Sequence, residues 1–378
     1  KEEGTGGGGE EEEEEIPEAV REFAAKHECT LLSHTLTFDY SNFTFDEALR
    51  RLLPSGVEVP GSFETIGHVV HLNLRPPQEP YRLLIAHVLV DKYPQLKTVV
   101  NKVGVITNEF RVFQMEILAD KHTNGPVPRT AGEADGALET TLRQTNCTFR
   151  LNFGQVYWNS RLEGEHKRLV QSFKPQDEIW DMFAGIGPFA VPAAKMHKCR
   201  VHANDLNPQS VHYLDKNVAA NKVQKEVTTY NACARAFLRQ RVKDCGDTVP
   251  ATGGSVHCVM NLPASAPEFM DAFRGAFPPS VWPPDSLPRV HLYAFSKNSE
   301  PLVCEADIKA RAEAALGFPI PGVTSHVVRD VAPKKLMLCL SFKIPPEAAY
   351  DAMPETGKEG KGGEGERERK RARSDEGQ

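Results

Sequence analysis

The chain has 378 residues, 40% hydrophobic and 25% charged, with a formal net charge of -6, enough for two domains that each bury a core. No run approaches the ~18 consecutive apolar residues of a membrane-spanning helix, which excludes a helical membrane protein. Residues 1–15 hold eight Glu against one Lys, so the body of the chain is close to neutral; contact with phosphates has to come from a local patch rather than the overall field.

The eight cysteines are scattered, with no C-x-x-C pair and no histidine cluster at zinc-ligand spacing. They read as reduced thiols in an intracellular chain with no structural metal, although sequence leaves one or two disulfides open.

Taken in order, residues 1–15 (KEEGTGGGGEEEEEE) form an acidic tail that is self-repelling and expected to be disordered. The chain begins at Lys1 without a methionine, which suggests that its natural N-terminus, with any transit peptide, is missing. Residues 16–60 read as a flank or linker holding two amphipathic helices, at 17–26 and 45–53, joined by a strand-like TLTFDYSNF. Residues 61–150 suggest a small α+β domain: a β-branched run at 68–74, the helical YRLLIAHVLVDKY, then VVNKVG and FRVFQMEIL. Within it, residues 120–139 are rich in Gly, Pro and charge and read as a mobile loop.

From 151 to 346, apolar runs alternate with helical patterns. CTFRLNF, EIWDMFA, VHANDL, VTTYNA, HCVMNLP, RVHLYAF and KLMLCLSFKI read as strands, the pattern of an α/β, doubly wound, mostly parallel sheet. Residues 347–378 form a second charged, disordered tail; RERKRAR at 367–373 is either a nuclear-localisation signal or a solvated charge run.

The strongest local signal is EIWDMFAGIGPF at 178–189. An apolar strand ends on Asp181, expected with the glycines to bind the cofactor, and a glycine turn opens into a helix. Gly185 and Gly187 would let the backbone approach a bound nucleoside, where side chains would fill the space; a tight strand-to-helix turn without ligand is the alternative. A second strand, VHANDLNP, ends on Asp205, twenty residues beyond Gly185, where doubly wound nucleotide-binding folds place a ribose-binding carboxylate. Asp205 could instead cap the helix begun by Asn207-Pro208. The glycine spacing is not G-x-G-x-x-G and no Walker lysine follows, so S-adenosylmethionine fits better than a dinucleotide or a triphosphate.

A third strand, VMNLPASAPEF at 259–269, delivers Asn261 to a strand end stopped by Pro263. An amide offers both donor and acceptor, which suits a planar base edge, although N-L-P is also a common strand exit.

DMFAGIGPF, NDLNP and MNLPASAPEF, with FGQVYWNSRLEGEH at 153–166 and GHVVHLNLR upstream, resemble the archaeal and eukaryotic-type tRNA guanosine-37 N1-methyltransferases over roughly residues 16–345. The resemblance implies a Rossmann-like class I methyltransferase domain behind a smaller α+β, tRNA-binding domain, with S-adenosylmethionine as cofactor and tRNA as partner. It also implies a monomer without metal, in the cytoplasm, the nucleus or the mitochondrial matrix.

The arginine and glutamate of the family's R-L-x-x-E pattern fall on Arg161 and Glu165. Guanine N1 must lose a proton as the methyl arrives, which gives Glu165 the part of general base; negative charge then grows on O6, which Arg161 would stabilise. Without the pattern, this i, i+4 pair would read as a surface salt bridge. The resemblance further implies that His166 touches the cofactor, that Asp205 and Leu206 hold its ribose and adenine, that Asn261 lies between cofactor and base, and that Tyr157 shapes the pocket. One departure stands out: Cys233 and Ala234 occupy the positions of an Asp-Gly pair that contacts the adenine, so weaker cofactor binding is expected. A related activity, transfer of the aminocarboxypropyl group to a modified guanosine, and a non-catalytic tRNA-binding relative are the competing readings.

Overall fold

In the computed structural model, the described residues are 16–32, 34, 36–103, 114–132, 134–245 and 253–351. The acidic segment 1–15, the basic cluster 367–373 and residues 104 and 110–113 of two expected strands lie outside them. No helix among the described residues is long and apolar enough to cross a membrane.

Helix α1 (Glu18–Lys26) and helix α2 (Phe45–Leu52) form where the amphipathic pattern places them. The strand expected between them does not form. Leu36 and Phe38 are exposed, and Asp39 accepts hydrogen bonds from Ser41 to cap a single helical turn at Tyr40–Asn42; a β-prone run with no neighbouring strand to pair with stays irregular. Nor is the flank a linker throughout. Thr44 and Glu47 close a reciprocal capping box at the start of α2, and Phe45, Ala48 and Leu49 are buried against Val70, Ile85, Leu89 and Leu118 of the small domain.

That domain is a five-stranded sheet in sequential order: β1 (Glu64–Ile66), β2 (Val69–Leu72), β3 (Thr98–Val103), β4 (Gln114–Asp120) and β5 (Arg129–Thr130). Helix α3 (Arg82–Lys92) makes the crossover between the parallel strands β2 and β3. The segment expected to be a mobile loop is built instead around an ion-pair knot. The Asp120 carboxylate is fully buried and lies 2.9 Å from Arg129, which also meets Asp135 at 3.0 Å. Asp120 accepts further hydrogen bonds from the Thr123 and His122 amides, and these contacts hold its carboxyl down at about 2 despite burial. Gly, Pro and charge here mark a tightly tied turn rather than freedom.

Strands β6 (Glu139–Gln144) and β7 (Cys147–Asn152) form a separate antiparallel hairpin. CTFRLNF was expected in the large sheet, but its alternation of buried Cys147, Phe149 and Leu151 faces the helices of the C-terminal domain instead. Asn217 clamps the hairpin, accepting from the Arg150 amide at 2.7 Å and donating to the Arg150 and Ile186 carbonyls. The hairpin therefore packs with the C-terminal domain, upstream of the boundary expected at 151.

After helix α4 (Glu163–Gln171) comes the large sheet. Its elements are β8 (Glu178–Asp181), α5 (Ala190–His197), β9 (Arg200–Asn204), α6 (Pro208–Ala220), β10 (Val227–Tyr230), α7 (Ala234–Asp244), β11 (Val256–Met260), β12 (Arg289–Ser296), α8 (Pro301–Leu316), β13 (Thr324–Ala332) and β14 (Lys335–Lys343). The strand order is β10-β9-β8-β11-β12-β14-β13. Five strands are parallel and only β14 runs against both of its neighbours. This is the expected doubly wound fold, with β13 as a strand that the sequence reading did not pick out. Chain order reverses between β8 and β11, and in such sheets the crevice outside the strand ends at that switch is where ligands bind. The chain remains packed past residue 347, where a disordered tail was expected: helix α9 (Pro346–Ala349) buries Ala348 and Ala349, and Tyr350 donates to the Trp282 carbonyl at 2.6 Å.

Replacing Arg129 by Ala would leave the Asp120 carboxylate buried without its cation, so a loss of about 3 kcal/mol is expected. Urea unfolding measures it; a change below about 0.5 kcal/mol would mean that the segment is as loose as its composition suggests.

Candidate functional site

A cavity of about 1320 Å³ opens at the switch point and extends to the small domain. One ligand site usually occupies ~300–1,000 Å³, so there is room for two ligands side by side. Its inner lobe is made by the exits of β8, β9, β10 and β11, its outer lobe by Glu64, His71 and Lys102 of the small domain with Arg161, Arg329 and Lys335.

The inner lobe is held together from β9. Asn204, fully buried, donates to the Met182 and Ala232 carbonyls at 3.2 and 3.0 Å and accepts from the Ala232 amide. Next to it, Asp205 accepts from the Gly185 amide at 2.8 Å and from the Asn207 amide at 2.9 Å. Asp205 thus ties the glycine turn to the start of α6, while the helix cap itself is Asn207, whose side chain accepts from Gln209. A carboxylate has about four lone-pair directions, so Asp205 keeps acceptor capacity toward the cavity that it lines.

Gly185 sits at φ +54° with open space where a Cβ would project, and it lines the cavity. Gly187 does a different job from the one expected. A Cβ there would lie 2.7 Å from Leu214 and 2.8 Å from Val191, so this glycine, at φ +98°, permits close packing of α5 and α6 and does not line the cavity.

Leu206, Cys233, Ala234, Asn261, Tyr157, Arg161 and His166 all line the same cavity. Both ring nitrogens of His166 and the Oδ1 of Asn261 are buried without a hydrogen-bond partner. Burial pushes the His166 imidazole down to about 3, so it is neutral, with one donor and one acceptor to offer. S-adenosylmethionine fits this set: a turn with room above Gly185, a carboxylate with spare acceptors, and buried polar atoms that lack partners.

Asp181 lies at the end of β8, immediately before the cavity-lining Met182, and does not itself line the cavity. It is fully buried, with neither oxygen in a hydrogen bond. Burial, reinforced by neighbouring Asp205, pushes its carboxyl up to about 8.

Glu165 is also away from the cavity wall. Its carboxylate, nearly buried, accepts from Arg168 at 2.6 and 2.7 Å and from the Tyr293 hydroxyl at 2.7 Å, with His326 of β13 3.3 Å away. Arg161 and Glu165 are therefore not a pair. The Arg161 guanidinium is largely exposed, 3.9 Å from Glu64 of β1, and Glu64 also accepts from the Ser160 amide. Glu64, Lys102, Arg329 and Lys335 were not read from the sequence; each comes from an element far away in the chain, and no local motif marks them. Asn204 could have been found, since it precedes Asp205 at a strand exit.

Fold and cavity define an S-adenosylmethionine-dependent methyltransferase of the doubly wound class. The profile of the TRM5/TYW2 methyltransferase domain matches residues 140–278, and that of the TYW2 N-terminal domain matches residues 45–123. A tRNA (guanine(37)-N(1))-methyltransferase of Phytophthora infestans is 42% identical over 89% of this chain and 76% of its own length. One of Batrachochytrium dendrobatidis is 39% identical over 89% and 75%. Among solved structures, an aTrm5 complex with tRNALeu superposes with a TM-score of 0.62 at 23% identity, covering 87% of each chain. The chain belongs to the tRNA (guanine(37)-N(1))-methyltransferase family.

Two outcomes are expected. Cys233 is the N-cap of α7 and makes no capping hydrogen bond; Cys233→Asp should stabilise the ligand-free protein by about 1 kcal/mol through the cap and also tighten S-adenosylmethionine binding in calorimetry. Stabilisation without tighter binding would remove the adenine contact from this position. For Asp181, the folded-state pKa lies above the ordinary 3.8, so the folded chain keeps a proton that the unfolded chain has lost. Stability from this group is full below the unfolded value and falls as pH rises toward about 8. The ligand-free melting temperature should decline between pH 6 and 8.5, and Asp181→Asn should flatten that decline.

Proposed function

We infer that this chain transfers the methyl group of S-adenosylmethionine to N1 of guanosine-37 in the tRNA anticodon loop. The observation that carries the reading is Asn261: its buried oxygen has no hydrogen-bond partner, and the residue lines the same cavity as Asp205 and Arg161. An amide so placed can meet a flipped base edge next to the methyl donor.

When bound, S-adenosylmethionine supplies an electrophilic methyl group. The chain's own residues position the base and manage its charge. Arg161 reaches the outer lobe and stabilises negative charge on guanine O6 as the N1 proton leaves. Glu165 receives that proton. It lies off the cavity wall, surrounded by Arg168, Tyr293 and His326, so its side chain must shift as RNA seats for the proton to reach it. Lys102, Arg329 and Lys335 around the outer lobe supply the local cationic patch that a near-neutral body requires for phosphate contact.

The first experiment is transfer of labelled methyl to unmodified tRNA with G at position 37, with nuclease mapping and a G37-to-A control. Label as 1-methylguanosine at that position, absent from the control, is the expected result; an aminocarboxypropyl product would replace the reading. In single turnover, Glu165→Gln should slow transfer by about 100-fold or more with tRNA affinity within about threefold, whereas Glu64→Gln should have the smaller effect on the chemical step. If Glu64→Gln proves the slower variant, the base is Glu64, a carboxylate that already lines the outer lobe of the cavity.

A further inference from the structure

Asp181 has no part in the chemistry above, and its surroundings are unusual for a carboxyl group. It is completely buried at the end of the central strand, directly below the turn that forms the cofactor lobe. Its strand neighbours are Ala203 in β9 and Val259 in β11, neither of which can donate from a side chain. The Phe183 backbone amide, which favours the charged form, makes no hydrogen bond of ordinary geometry to either oxygen.

The charged group that acts on it from the neighbouring elements is Asp205, at the exit of β9, and that group is a like charge. Burial raises the Asp205 carboxyl as well, but hydrogen bonds from Asn207, Gly185 and Ser210 work against that rise; the Asp181 oxygens have no such partners. His166 of α4 is neutral and provides no counter-charge; Cys233, Arg235 and Glu268 also line the cavity, and Arg235 is held by Asp271 at 2.8 Å. Of two buried carboxyl groups that act on each other, with donors for only one, the one with donors ionises the more readily and Asp181 keeps the proton.

We propose that Asp181 is the residue that lets the site distinguish the positively charged methyl donor from its neutral thioether product, by giving up its proton when a cation occupies the cofactor lobe. The step is an acid dissociation: Asp181 goes from carboxylic acid to carboxylate and the proton passes to the buffer. The cation then stands in for the missing counter-charge, and attraction in a lobe shielded from water is stronger than it would be at the surface. After transfer the sulfonium has become a thioether, the charge is gone, and Asp181 takes its proton back. Product would thus be held less firmly than donor by a group that touches neither reacting atom.

The proposal rests on S-adenosylmethionine being the cofactor, and binding calorimetry separates the two questions. Titrations of the full chain at pH 7 in two buffers of different ionisation enthalpy give the number of protons released. With a group at about 8 in the free protein, about 0.9 proton should leave when S-adenosylmethionine binds, and clearly fewer with S-adenosylhomocysteine. The amino group of the two ligands, which titrates near ~8, is common to both and cancels in the comparison. From pH 7 to 9 the affinity for S-adenosylmethionine relative to S-adenosylhomocysteine should rise by about tenfold. In Asp181→Asn both the extra proton and this pH-dependent gain should vanish. Sinefungin, which carries an ammonium group in place of the sulfonium, should release protons from the unaltered chain as the donor does, a result that does not depend on the variant folding. Equal proton release by donor and thioether in the unaltered chain, or undiminished release in Asp181→Asn, overturns the proposal. Failure of S-adenosylmethionine to bind at all overturns the cofactor reading instead.

Discussion

The exit of β9 is the constraint on which the site depends. Through side-chain and backbone atoms, Asn204 and Asp205 hold Met182, Ala184 and Gly185 of the first strand's turn and Ala232 of the third strand's exit. Three strand ends that share only sheet contacts would splay with the twist of the sheet. Bound to two adjacent side chains at short distances, they form a fixed rim instead. The rim in turn fixes where open space remains above Gly185 and which carboxyl group, Asp205 or Asp181, receives the available donors.

A second constraint joins the two domains. One buried cluster runs from Ile66, Val100 and Ile117 of the small sheet through Phe149 and Trp158 to Phe189 and Tyr293 of the large one. The outer lobe of the cavity lies on this seam, so the small domain supplies one wall of the site rather than only a handle for RNA. The hydrogen bond from Ser160 to Glu64 crosses the same seam at the turn that leads into Arg161 and α4. A shared core of this kind limits independent movement of the domains, which suits a site whose two lobes must stay in register while a base and a methyl donor are brought together.

The inner lobe was largely legible in the sequence because its parts are local. A strand followed by a glycine turn, a second strand ending on Asp205 and a third ending on Asn261 each announce themselves within ten or so residues, and each lands on the cavity or next to it. The readings that failed were of two sorts. Composition mistook the Asp120–Arg129–Asp135 knot for a loose loop, since an ion pair within one segment looks like scattered charge until its geometry is known. Spacing mistook Gly187 for a ligand glycine, when it serves helix packing, and left open a salt bridge between Arg161 and Glu165, which face Glu64 and Arg168 instead.

What the sequence by itself determined was the order and type of the elements and the residues that end the parallel strands, because hydrophobic period and turn chemistry act over a few residues. What only the tertiary structure decided was everything set by long-range pairing. CTFRLNF leaves the large sheet for a hairpin on α6, β13 supplies His326 to Glu165, and the outer lobe is assembled from Glu64, Lys102, Arg161, Arg329 and Lys335. The physical reason is that an i, i+4 pattern or an alternating strand fixes which face is buried but not which distant surface buries it. Titration follows the same rule: burial raises both the Asp181 and the Asp205 carboxyl, and only Asp205 is brought hydrogen bonds that work against the rise.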